Sequence, residues 1–216
     1  MGFGLAGIQI ILQIDKAVFM TGYWIAALVV LTGVLLVNIL YNVSYQRRMK
    51  QIAPLLEAGK PQEYIEGVEQ LLKTAKGQSL KTILTMNLSA GYIDLKEFDK
   101  AIELLEGISD KKLVGTAVKT VYRLNLCTCY FNIDQGEKAL KLYNDSQKIF
   151  EAQRGGKLYG VNIAILDMLA AIQNRRYDQA EELLDRARQT WGEPRFQEAF
   201  QEIENTLTEI KKEQAL

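Results

Sequence analysis

The sequence predicts an all-α protein in which one N-terminal transmembrane helix precedes an α-solenoid of about four helix–turn–helix repeats. Residues 17–46 carry no charge, and the rest of the chain repeats an amphipathic helical pattern four times. Only 3 prolines occur in 216 residues, which disfavours a loop-rich β fold. We expect four parts, namely a short apolar segment 1–16, a transmembrane helix 17–46, a repeat domain 50–192 and a capping helix 193–216.

The composition excludes several classes of function. Lys plus Arg and Asp plus Glu each total 26, so the chain lacks the net positive charge of a nucleic-acid-binding protein. The sequence contains no histidine, which excludes histidine-based acid–base catalysis and histidine-ligated metals. Motifs for phosphate-binding loops and hydrolases are also missing. We therefore expect no catalytic residue, no metal, no cofactor and no nucleic-acid partner.

The uncharged run 17–46 has the length and flanks of a membrane anchor. Its most apolar part is 24–40, and about 20 such residues cross a bilayer as a helix. Trp24 and Tyr41 at its ends would be about 26 Å apart along a helix, which suits two interfacial belts. Arg47 and Arg48 follow as a basic stop. A buried core helix and a cleaved signal peptide are the alternatives, although no small-x-small cleavage site follows the run.

The flanking charges predict the orientation of the anchor. Arg47, Arg48 and Lys50 follow the run, whereas Lys16 at its start lies next to Asp15. This bias predicts that residues 51–216 are cytoplasmic.

Two cysteines, Cys127 and Cys129, lie two apart on a predicted helix and so do not face each other. We expect them to be small buried residues in a reducing compartment.

Three local features complete the N-terminal region. Residues 3–14 are apolar but too short to span a bilayer, so they lie in the interface or lengthen the anchor. Gly22 and Ala26 form one small-xxx-small pair, which leaves a homo-oligomer open. Pro54 predicts that the membrane helix breaks or kinks before the first repeat.

The repeats are most visible in the second helix of each unit, at 61–72, 95–106, 135–144 and 174–185. Each of these segments has a small residue where two helices would cross, with spacings of 34, 38 and 41 between units. The first helices within 86–98 and 124–136 share a Leu-small-x-x-Tyr pattern. Residues 195–213 have one apolar face and many charges, as a solvating cap requires. The crossing residues are Gly67, Ala101, Ala139 and Ala180.

On these residues, 50–192 resembles the tetratricopeptide repeat family, most clearly in 86–106. The spacing of 34 between Gly67 and Ala101 equals the family's period, whereas the later spacings depart from it and the family's tryptophan and proline are missing. Related helical-hairpin repeats therefore stay open.

The resemblance implies a right-handed superhelix whose concave groove binds an extended peptide or a partner helix. Asn87 and Asn125 occupy equivalent places, where family asparagines often bond a peptide backbone. The basic set with which some members grip a chaperone carboxylate is not evident. The groove positions implied are Asn87, Ala90, Asp94, Leu124, Asn125, Thr128, Phe131, Asn132, Ile165, Leu169 and Ile172.

Together these features predict a single-pass membrane scaffold or adaptor that binds proteins and catalyses nothing itself. Its contacts would be the bilayer through 17–46 and a protein or peptide in the groove. The alternative is an accessory or assembly subunit of an integral membrane complex, bound mainly through the transmembrane helix.

Overall fold

The computed structural model describes residues 16–214, and the apolar segment 3–14 lies outside them. Within the described residues the chain is all-helical, with nine α-helices, one short 3₁₀ helix and no strand. The first unit of the chain ends at Gln51, and the second unit is Ile52–Leu216. The helices are α1 (Lys16–Glu57), α2 (Pro61–Thr74), α3 (Gln78–Asp94), α4 (Phe98–Glu106), the 3₁₀ helix (Asp110–Lys112), α5 (Thr116–Phe131), α6 (Gly136–Glu151), α7 (Gly160–Gln173), α8 (Tyr177–Thr190) and α9 (Pro194–Gln214).

Helix α1 contains the apolar run and continues eleven residues beyond it, to Glu57. Among the described residues, its part from Met20 onward is the one helix long and apolar enough to cross a membrane. The apolar side chains of its span are exposed, as Leu40 at 67% shows. The chain does not break at Pro54, because the helix runs through this residue to Glu57. Proline removes a single N–H near the helix end, and the chain turns only at Gly59, where φ is 69°.

The same turn joins two helices in four places. Each turn contains one residue in the left-handed region, and the next helix begins two residues later. The residue after the left-handed one donates its N–H to the carbonyl five residues before it, which closes the preceding helix as a Schellman motif. The left-handed residues are Gly59, Lys96, Asp134 and Arg175, with φ of 69°, 58°, 57° and 57°.

These turns correct the register of the first repeat. Ala101 lies five residues after its left-handed residue, as do Ala139 and Ala180 after theirs, whereas the equivalent position after the turn at Gly59 is Tyr64. Gly67 is three residues further on, so the spacing of 34 does not measure the structural repeat; turn-to-turn spacings are 37, 38 and 41. Gly67 is small for another reason, since a Cβ atom there would lie 3.1 Å from Cδ1 of Ile52.

The helices of the second unit pack as successive antiparallel neighbours. Numbered by the four left-handed turns, helix pairs α3–α4, α5–α6 and α7–α8 form the second, third and fourth hairpins, and helices α3, α5, α7 and α9 also contact one another in that order. Buried apolar side chains fill the spaces between hairpins, among them Leu105, Phe150, Leu166 and Phe200, all with less than 2% exposure. Burial of such side chains supplies about 1.5–3 kcal/mol each. Gly155 and Gly156 lie in the connection between α6 and α7.

Candidate functional site

The candidate groove positions lie on three helices that contact in succession, α3, α5 and α7. On α3, Asn87, Ala90 and Asp94 follow one another at the spacing of a single helix face. The positions on α5 and α7 keep the same kind of spacing. We call this set the first-helix face. Its exposed members are Asp94 and Asn132, and its half-buried members are Asn87, Ala90, Asn125, Thr128, Phe131, Ile165, Leu169 and Ile172.

Leu124 is the member of this set that the structure places in the core. Its side chain is only 3% exposed and packs with Cys127, Phe150, Ile163 and Leu166. Helix α5 contacts α3, α4, α6 and α7, so more of its circumference is buried than a single amphipathic stripe provides. A partner does not reach this leucine on the folded surface.

The asparagines of the face use their amide donors within the protein. Asn87 donates to the carbonyl of Ile83 at 3.0 Å, and Asn132 donates to that of Thr128 at 2.8 Å. Asn125 donates across to α3, to Oγ of Ser89 at 3.4 Å. Asn125 therefore joins two neighbouring hairpins. A bound peptide would either use the amide oxygens or exchange these internal bonds.

Apolar members of the face rest on the buried core. Phe131 packs against two core clusters, and Ile165 and Ile172 pack against the cluster that contains Phe200. Leu169 contacts the cluster around Phe150. These side chains are half-buried and pack against the core, so the face presents ordered apolar side chains beside amide groups.

Helix α9 reaches one edge of the face. Nζ of Lys96, in the turn after α3, lies 2.5 Å from Oε1 of Glu202. The pKa of Asp94 is raised, first by partial burial and then by the neighbouring carboxylate of Glu198. The C-terminal helix therefore brings two acidic residues to the α3 end of the face, and any partner would meet these charges.

The expected membrane-interface residues lie on α1. Trp24 is 64% exposed, and its ring meets that of Tyr23 edge to face at 5.5 Å between centroids. Tyr41 is half-buried and donates to the hydroxyl of Tyr45 at 3.3 Å. Arg47 and Arg48 are exposed. At helical rise the two aromatic positions lie about 26 Å apart.

A half-buried polar network outside these predictions centres on Asp167. The hydroxyl of Tyr143 donates to its Oδ1 at 2.6 Å, and Nη1 of Arg154 contacts its Oδ2. Burial raises the pKa of Asp167, against the opposing effect of Tyr143 and Arg154. The sequence carried a signal for this network, because Asp167 is the lone charged residue of α7.

The two cysteines are buried in α5, and burial raises the pKa of both thiols to about 12. They are protonated at neutral pH. Across residues 16–214 the structure groups no three Cys, Asp or Glu side chains that could hold a metal ion.

Comparison with protein-family models, with curated proteins and with solved structures found no match for this chain.

Proposed function

We propose that this protein is a single-pass membrane-anchored scaffold whose Ile52–Leu216 unit forms a tetratricopeptide-like solenoid that binds a partner protein. The unit is cytoplasmic in this account, as the basic residues after the apolar run favour. The anchor confines the unit to the membrane plane and so raises its effective concentration near membrane partners.

The observation that carries the proposal is the geometric repetition of the hairpins. Four turns share one backbone conformation and one hydrogen-bond pattern, and the first helices contact each other in order. Such stacking supports a solenoid in which the first helices line one side. That side carries half-buried Phe131, Leu169 and Ile172 beside amide groups, a surface suited to an amphipathic or apolar segment.

A paired set of variants tests whether the first-helix face binds the partner. The double variant Thr128→Arg/Asn132→Arg adds two positive charges four residues apart, one on α5 and one on the residue that follows it. The control Asp99→Gln/Glu103→Gln adds the same net charge on exposed positions of α4. We expect proteins that co-purify with the full chain from cross-linked membranes to be lost with the first variant and retained with the control. Equal recovery with both would contradict binding at this face.

The alternative function, as a subunit held through its transmembrane helix, is favoured by one observation on α1. Nδ2 of Asn42 donates to Oδ1 of Asn38 at 2.7 Å and to its carbonyl at 2.9 Å. An amide pair at the end of an apolar span offers hydrogen bonds to a neighbouring membrane helix. Replacing 17–46 with an unrelated anchor separates the two functions, because a scaffold keeps its partners after the exchange and a subunit loses its complex.

A further inference from the structure

A cleft of about 350 Å³ opens between α6, α7 and α8, away from the first-helix face. Tyr143 and Asn144 come from α6, and Asp167, Ala170 and Ala171 from α7. The third wall consists of the residue before α8 and one stripe of that helix, with spacings of three, four and three residues. The residues of this wall are Arg176, Gln179, Leu183 and Arg186.

The cleft carries an excess of positive charge. Three arginines line it against one carboxylate, that of Asp167. Each nitrogen of the Arg154 guanidinium group already has a partner within the protein. Arg154 contacts Asp167 and donates to Oε1 of Glu151 at 3.0 Å and to Oε1 of Gln147 at 3.1 Å. The excess therefore resides in Arg176 and Arg186.

Both remaining guanidinium groups have donors to offer. Arg176 donates to Oε1 of Gln179 at 3.3 Å, a neutral partner. Arg186 donates to the carbonyl of Glu182, and its guanidinium lies 3.9 Å from the Glu182 carboxylate, beyond hydrogen-bond distance. Each guanidinium carries five N–H donors, so most stay available for an incoming carboxylate.

The spacing of these arginines defines what fits. Ten residues of helix separate them, which is about 15 Å along α8. In an extended peptide, side chains four residues apart lie on one side and about 13 Å from each other. The methyl groups of Ala170 and Ala171 and the side chain of Leu183 provide an apolar surface between the two charges.

We propose that this cleft binds an extended acidic peptide segment of a partner protein, with carboxylates four residues apart at Arg176 and Arg186. The inference rests on the proposed scaffold function only in taking a protein as the ligand. It assigns a second binding site, on the second-helix side of the third and fourth hairpins. A negative result at the cleft can be told apart from a negative result at the first-helix face, because the variants that test the two sites lie on different helices.

The test measures binding of fluorescent peptides to the full chain in phosphatidylcholine nanodiscs by anisotropy. The probe is a threonine- and proline-based peptide with glutamates at its first and fifth positions. Two comparison peptides carry the glutamates side by side or replace them with lysines. We expect the spaced acidic peptide to bind at least about tenfold more tightly than either, since it alone reaches both arginines.

Matched variants locate the binding. Arg176→Gln/Arg186→Gln removes the two charges of the cleft, and Lys141→Gln/Lys148→Gln removes two exposed charges of α6 outside it. We expect the first pair to weaken binding of the spaced peptide at least about tenfold and the second pair to leave it within about twofold. Equal losses in both pairs, indifference to glutamate spacing, or equal competition by inorganic phosphate and by the peptide would each overturn the proposal.

Discussion

The ammonium group of Lys96 lies 2.5 Å from Oε1 of Glu202, although 106 residues separate them in the chain. Lys96 is in the turn between α3 and α4, and Glu202 is on α9. The contact thus joins the second hairpin to the last helix, past the two hairpins between them. Helix α9 contacts α7 and α8, and it also borders the first-helix face.

The contact between Lys96 and Glu202 predicts a specific cross-link. Cysteines introduced as Lys96→Cys and Glu202→Cys should be joined by a short bismaleimide, whereas Lys96→Cys with Glu209→Cys should not. Position 209 is two helical turns further along α9, or about 10 Å. The natural cysteines are buried and protonated, so they contribute little background. Gel mobility after denaturation reads the result, and equal cross-linking of both pairs would contradict this contact.

The left-handed turns predict stabilisation by glycine. Asp134→Gly and Arg175→Gly should each raise the free energy of unfolding by up to about 1 kcal/mol, because a left-handed backbone strains any side chain with a Cβ. At the exposed helical position 141, Lys141→Gly should lower it by about 1 kcal/mol. Denaturant unfolding followed by circular dichroism measures all three. A loss of stability in both turn variants would refute the assigned turn conformation.

The crossing of α2 and α3 predicts that Gly91→Ala destabilises the protein. A Cβ atom at Gly91 would lie 2.6 Å from Cγ1 of Ile65 and 3.0 Å from Cδ1 of Tyr64, both buried side chains. Overpacking of about 1–3 kcal/mol should exceed the gain in helix propensity. The same change at Gly155, where a Cβ meets nothing within 4 Å, is the matched control. Unfolding midpoints compare the two, and a neutral Gly91→Ala would show that the helices are further apart.

Glu106 predicts a pH-dependent contribution to stability. Its Oε1 accepts hydrogen bonds from Lys138 at 2.6 Å and Tyr130 at 2.5 Å, which lower the pKa of the carboxyl group. A carboxyl group whose pKa is lowered by folding stabilises the folded protein at pH values above its ordinary pKa of 4.5. This contribution is lost as the pH falls through the pKa of the folded state. Glu106→Gln should cost about 0.5–1 kcal/mol, since the side chain is nearly half exposed.

The measurement for Glu106 compares denaturation of the two proteins at about pH 7 and about pH 3. The difference should be present at the higher pH and smaller at the lower one. A difference that persists unchanged in acid would mean that the carboxylate charge is not its source.

Much of the helical organisation follows from the sequence because helical periodicity is local. All four second helices begin within a few residues of their expected starts, and a last helix, α9, begins at Pro194. The register of the first repeat did not follow, since Gly67 resembles Ala101 as a small residue but is small because of Ile52. Burial of Leu124 and the bond from Asn125 to Ser89 depend on a neighbouring hairpin. Contacts of that kind leave no periodic signal in one helix.

No pattern in the sequence predicts the arginine-lined cleft. Arg154, Arg176 and Arg186 come from a connection, a turn and a helix, and only the packing of α6, α7 and α8 brings them to one cavity. Asp167 could have been noticed as a lone charge in an apolar helix, but its partners Tyr143 and Arg154 could not.

The most direct test of the membrane-anchored scaffold is protease protection of a C-terminally tagged full chain in intact cells, after an alkaline wash has established membrane association. We expect a membrane-bound chain of full length whose tag resists external protease until the membrane is permeabilised. Cleavage of the tag from outside would contradict the cytoplasmic placement of Ile52–Leu216, and a shortened, soluble chain would show that the apolar helix is a removable signal instead of an anchor.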